Sequence, residues 1–173
     1  MNIFELKIWD DEGRLCTFYT VQAEDAEENE TDKFFEKYDA IPKYKSAAAE
    51  LLQYVLTAIG DDHGAKKELF NRKENEVDGL PCQRLVRLRT KRYHYPGFPL
   101  RLYALKISEQ IVVLFNGGVK DSDTNQTSSL HLNWTEACLY AKRIKEALRT
   151  GTIYIAENNR VLLTSDGKDE IIL

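Results

Sequence analysis

The chain has 173 residues, 43% of them hydrophobic and 30% charged, with a formal net charge of −4. That length suits one globular domain with a sizeable core. No run approaches the ~18 consecutive apolar residues of a membrane-spanning helix, and the opening "MNIFELKIWDDEGR" lacks the basic start and apolar stretch of a secretory signal.

Residues 3–9, "IFELKIW", alternate as a strand does. The turn Asp11-Glu12-Gly13-Arg14 and the returning strand "LCTFYTV" (15–21) complete an N-terminal hairpin over residues 1–22. An acidic stretch follows, in which Asn29 or Thr31 can cap a short helix carrying Phe34, Phe35 and Tyr38. After Pro42 a second helix is predicted over 46–59, with Ala48, Leu51, Leu52, Val55 and Ile59 on one stripe and Gly60 or Gly64 as its stop. Residues 61–80 read as irregular, with one further helical turn around Leu69 and Phe70.

The middle of the chain reads as sheet. "CQRLVRLRT" (82–90) is one strand candidate and 91–99 a loop. "LRLYALKIS" (100–108) and "IVVLFNG" (111–117), joined by Glu109-Gln110, form an antiparallel hairpin. The second of these is almost continuously apolar, as in a strand covered on both faces. A polar loop over 121–132 leads to Asn133 and Glu136, spaced as a capping box, and to a helix with Trp134, Ala137, Cys138, Ala141, Ile144 and Leu148 in phase. "TIYIA" and "VLLT" give a last hairpin, and "EIIL" an edge strand, over 150–173. The expected class is α+β, helices packed on a mostly antiparallel sheet.

Charge is unevenly spread. Residues 24–39 carry eight acidic side chains and two lysines, whereas 81–120 carry eight basic side chains against Glu109 alone. A local positive field attracts phosphates even on an acidic chain. Arg87, Arg89 and Lys91 share a strand face by parity if the strand runs unbroken, and with Arg92 they form a row able to follow a phosphate backbone. The other reading is a solvated face. The loop "YHYPGF" (93–98) offers His94 and Tyr93 for proton transfer, or aromatic rings that anchor it to the core. The acidic stretch is also placed to fold over the basic sheet and compete for phosphate. His63 and His131 read as helix-end or surface residues.

No C-x-x-C, H-x-x-x-H, P-loop or G-x-G-x-x-G spacing occurs, so neither a metal nor a nucleotide cofactor is indicated. Cys16, Cys82 and Cys138 are odd in number and far apart, which argues against a disulfide framework and fits a reducing cytoplasm.

The segment "FPLRLYALKISEQIVVLFNGGVK", a polar loop and "EACLYAKRIKEAL", preceded by two helices, resembles the RelE/HigB/ParE-like toxin superfamily of bacterial toxin–antitoxin systems. The likeness covers about residues 31–149, with a hairpin added at each end. The strand arginine of that pattern is matched by Arg101, its glycine and lysine by Gly117, Gly118 and Lys120, and its basic helix by 134–149. Lys120 is followed by Asp121 where many members have further lysines, and no C-terminal catalytic residue of the pattern is evident, Tyr154 being a candidate. The resemblance implies metal-independent RNA cleavage, on the ribosome or free, and neutralisation by a protein antitoxin. Arg87, Arg89, Arg101 and Lys120 would then hold phosphate, and His94 or Tyr93 would move the proton of the ribose 2′-hydroxyl. ParE-like members do not cut RNA, so the alternative is an interaction module on the same fold, binding a protein partner or a second copy of itself.

Overall fold

The computed structural model describes residues 3–71, 75–120 and 129–173. Strands β1 (Phe4–Asp10) and β2 (Thr17–Ala23) form the expected N-terminal hairpin. Helix α1 (Glu30–Asp39) starts at Asn29, whose side chain accepts the Asp32 amide at 2.8 Å. Helix α2 (Pro42–Gln53) continues without a break into a π-helix, Tyr54–His63. A 3₁₀ turn (Lys67–Leu69), β3 (Asp78–Leu80), β4 (Val86–Leu88) and β5 (Lys91–Tyr93) follow. Then come β6 (Leu100–Ser108), β7 (Ile111–Val119), α3 (Ser129–Thr150), β8 (Ile153–Ile155), β9 (Leu162–Thr164) and β10 (Ile171–Ile172).

The class is α+β. Six strands make one sheet in the order β10-β1-β2-β7-β6-β3, and β4-β5 and β8-β9 are separate two-stranded ribbons. The sheet is mixed. β2 lies beside β7 in parallel, Thr17 opposite Ile111 and Tyr19 opposite Val113, and the other pairs are antiparallel. The N-terminal hairpin is therefore not an appendage, because β2 is a central strand of the sheet that also holds β6 and β7.

Strand alternation sorts the core into two layers. Phe18, Leu100, Leu102, Val112 and Leu114 face α1, α2 and the π-helix. Tyr19, Val21, Tyr103, Leu105, Val113 and Phe115 face α3 and the β8-β9 ribbon. Phe18, Phe34, Leu102 and Phe115 are almost wholly removed from water, which stabilises the fold by roughly 1.5–3 kcal/mol for each side chain. Helix α1 seals the point where β2 and β7 part. The buried Thr31 hydroxyl donates to the Leu114 carbonyl at 3.0 Å and lies 2.7 Å from the Thr20 hydroxyl.

Several boundaries differ from the sequence expectation. The helix predicted over 46–59 starts at Pro42, where proline suits the first turn, and with its π-helical continuation runs to His63. Residues 78–80, expected to be irregular, pair with β6 as β3. Helix α3 already includes Ser129, so Asn133 is an interior residue and not a cap. Its amide donates to the Gly117 carbonyl at 2.6 Å, tying the helix to β7. Up to residue 128, the expected polar loop lies outside the described residues. The predicted strand over 82–90 shortens to β4, because the chain reverses at Arg89 and Thr90 and 91–93 becomes the partner strand.

Candidate nucleic-acid interface

The ribbon β4-β5 stands on the helical face of the sheet. Val86, Leu88 and Tyr93 pack against the core, and Tyr93 meets the buried Tyr54 edge-on at 5.9 Å. Tyr95 meets Tyr54 at 5.2 Å and Phe98 at 5.7 Å, so the aromatics of "YHYPGF" anchor the loop. His94, between two inward rings, is exposed.

Cross-strand register fixes the basic residues. Val86 opposes Tyr93 and Leu88 opposes Lys91 on the inner side, which leaves Arg87 and Arg92 directly opposite each other on the outer side. The parity that would put Arg87, Arg89 and Lys91 on one face does not survive the turn. Lys91 instead lies on the inner side, its ammonium 3.6 Å from Asp62. Arg89 occupies the turn with φ +55°, a left-handed conformation that a residue with a Cβ adopts at a cost of roughly 1–2 kcal/mol. Arg87, Arg89, Lys91 and Arg92 are all exposed. Like charges placed opposite each other weaken a ribbon unless an anion lies between them.

The π-helix ends beneath this ribbon. Its Gly60 carbonyl accepts the amides of Leu15 and Cys16, at 2.8 and 3.1 Å, and Asp61 accepts the Arg14 amide at 3.0 Å. Arg160, reaching from the β8-β9 connection, donates to the carbonyls of Gly13 and Arg14 and holds that loop in place. The last residue of the π-helix, His63, is 8% exposed, and its Nε2 lies 2.9 Å from the Tyr93 hydroxyl. Desolvation pushes the imidazole below its usual pKa. Asp62 opposes that shift, and Arg89, Lys91 and Lys66 reinforce it. Burial pushes the Tyr93 hydroxyl upward. Arg14, Leu15, Asp61, Asp62, His63, Arg89, Thr90 and Lys91 enclose a pocket of about 270 Å³.

Of the residues singled out in the sequence, Tyr93, Arg89 and Lys91 meet here, while Arg87 and Arg92 form the adjoining outer face. Arg101 is elsewhere. Its neighbours Leu100 and Leu102 point into the layer under α1 and α2, so alternation sends Arg101 to the α3 side. There its side chain lies over Gly79, and its cross-strand partner Gly118 sits against Leu130 of α3. Lys120 follows β7, its amide bonded to the Pro99 carbonyl at 2.8 Å. The carboxylates that line pockets with the ribbon are Glu50, Asp61, Asp62 and Glu68, all outside the acidic stretch 24–39. Cys82 is buried with its thiol pushed upward by desolvation, as in a core residue and not a nucleophilic thiolate. His63 is the residue that the sequence concealed. Thirty positions separate it from Tyr93, and no local pattern links them.

Three cysteines are free and buried. Among the described residues no helix is long and apolar enough to cross a membrane, and no three His, Cys, Asp or Glu side chains gather as a metal site. Comparison with protein-family models, with curated proteins and with solved structures finds no match to this chain.

Proposed function

We propose that this chain binds RNA through the β4-β5 ribbon, and that it acts as a toxin-type, metal-independent ribonuclease. One observation carries the reading. Arg87 and Arg92 face each other on the exposed side of a ribbon whose turn holds a third arginine in a strained conformation. That arrangement is unfavourable in isolation and favourable around a phosphate backbone. Beside it, His63 and Tyr93 replace the expected His94 as the proton-transfer pair. In the cleavage step the ribose O2′ forms a bond to phosphorus and the P–O5′ bond breaks. The O2′ proton passes by way of the Tyr93 hydroxyl to His63, and O5′ takes up a proton from water.

Fluorescence anisotropy with a labelled single-stranded RNA tests the binding. Each phosphate contact adds about −0.7 to the slope of log K against log salt, so the double variant Arg87→Glu/Arg92→Glu is expected to flatten the slope by about 1.4. A wild-type chain that ignores RNA at low salt refutes the proposal. Cleavage in EDTA, and growth arrest on expression that His63→Gln relieves, test the finer part.

A second surface favours the interaction-module reading. Around the end of β1 and β2 two depressions share Ile3, Phe4 and Ala23, with Leu139 and Ile172 exposed and Glu5, Glu24, Asp25 and Glu136 at the rim. Lys7 and Arg143 border them, engaged with the Gln22 amide and the Phe4 ring. An apolar floor with an acidic rim suits a basic amphipathic segment of a protein partner, such as an antitoxin. A pull-down that Leu139→Lys abolishes, with the ribbon intact, tests it.

A further inference from the structure

We infer that the pocket at the end of the π-helix is a binding subsite for a single phosphate group, closed by the Arg89-Thr90 turn and floored by His63. The inference rests on the RNA reading, since it assigns one phosphate of the bound strand to a defined place.

The geometry comes first. Arg14, Arg89 and Lys91 line the pocket from two segments far apart in sequence: the β1-β2 turn and the β4-β5 hairpin. A volume of about 270 Å³ exceeds that of a phosphate and leaves room for part of its ribose. Two carboxylates share the rim, Asp61 accepting the Arg14 backbone amide and Asp62 lying 3.6 Å from the Lys91 ammonium, so three cations face two anions and a net positive charge remains for an entering phosphate. The imidazole at the floor is itself more than nine-tenths buried and polar, and its Nε2 is engaged by the Tyr93 hydroxyl. That contact uses one ring nitrogen, so a group entering the pocket would meet the other, Nδ1.

The backbone agrees. A π-helix is an uncommon way to end a helix and is over-represented at functional sites. Here it brings the consecutive residues Asp61, Asp62 and His63 to one rim. Arg89 is held at φ +55° at the mouth, where glycine would be the unstrained choice. Residual strain at a ligand contact is a recurrent feature of binding sites.

A phosphate entering this pocket changes the field at His63. The groups facing the imidazole are Tyr93 and Lys91 from β5, Arg89 from the turn, Asp62 from the π-helix and Lys66 beyond its end. The three cations disfavour the imidazolium, and an anion within reach of them offsets their effect. The His63 pKa is therefore expected to rise when the pocket fills, as for a histidine that gains a neighbouring anion.

The test is an NMR titration of the His63 ring against pH in the full chain, with inorganic phosphate and with sulfate, each compared with chloride at matched ionic strength. A saturable rise with phosphate and sulfate, lost in Lys91→Gln and in Arg14→Gln, is the expected result. A rise equal to that in chloride means screening only and overturns the inference, as does an unchanged His63. Thermal melts confirm that both variants, altered at exposed side chains, remain folded. RNA anisotropy run in parallel separates the two proposals. RNA binding with a silent His63 overturns the subsite and leaves the ribbon reading standing, whereas phosphate binding without RNA affinity does the reverse.

Discussion

The apolar run that ends at Asn116-Gly117-Gly118 gives the most exacting prediction. At Gly117 an added Cβ would lie 1.8 Å from the Arg101 carbonyl oxygen, 2.8 Å from its carbon and 3.0 Å from Leu102 Cα. All three atoms are backbone, so no rotamer relieves the clash. β6 and β7 must separate locally, or the bulge between Leu102 and Ala104 must rearrange. Overpacking of this kind costs typically 1–3 kcal/mol and more when backbone has to move, so Gly117→Ala is expected to destabilise by about 3 kcal/mol. At roughly 2–4 °C per kcal/mol for a chain of this size, Tm falls by about 6–12 °C in calorimetry. Gly118→Ala is the internal control. Its Cβ would meet Leu130 at 3.2–3.4 Å, on a helix end that can give by a few tenths of an ångström, and the expected loss is about 1 kcal/mol. Equal melting of the two variants, or a Gly117→Ala protein as stable as wild type, would falsify the bulge as the reason for glycine.

Three other outcomes follow from the site. His63 has its folded pKa below the unfolded value, so the unfolded chain binds the extra proton between the two. Its contribution to stability is complete above about pH 6.5 and is lost as pH falls through the folded value; melts from pH 7.5 to 5 should show the decline, and His63→Gln should flatten it. Arg89→Gly releases a left-handed non-glycine turn and should raise stability by roughly 0.5 kcal/mol after the glycine's greater unfolded-state entropy is subtracted, while weakening RNA binding; a variant that loses stability contradicts the strain argument. Tyr54→Phe removes the hydroxyl that donates to the Leu69 carbonyl and accepts the Cys82 amide, leaving buried groups unpaired at a cost of about 1–3 kcal/mol in chemical denaturation.

Much of the architecture can be read from local pattern. Alternation marks β1, turn residues mark the return of β2 and the short link from β6 to β7, Asn29 announces α1, and the nearly unbroken apolar run of β7 signals a strand covered on both faces. What escapes is whatever depends on distant partners. Nothing in "LCTFYTV" states that it pairs in parallel with β7, because alternation defines a face and not a neighbour. The π-helix is hidden because its apolar positions fit an ordinary helical stripe equally well over so short a window. Asn133 carries a capping signal, yet the helix extends past it and its amide serves β7 instead. The candidate site is half legible. Residue type identifies the basic ribbon, but the reversal at Arg89 decides which arginines share a face, and His63 joins Tyr93 only through tertiary packing. The family-like pattern assigns Arg101 to the site, whereas strand parity sends it to the opposite side of the sheet.

The parallel pairing of β2 with β7 also governs the order in which the molecule can be assembled. Thr17 must wait for Ile111, and a ribosome adding ~5–20 residues per second needs roughly 5–19 s to supply that partner. During this interval the first hairpin leaves the exit tunnel with one flank of β2 unsatisfied and with Phe18, Tyr19 and Val21, all destined for the interior, open to other chains. The later pair β6-β7 closes locally and quickly. The nascent protein is thus a solitary early hairpin and a self-sufficient late one, and docking them, not forming either, is the step that a cell's chaperones would have to guard.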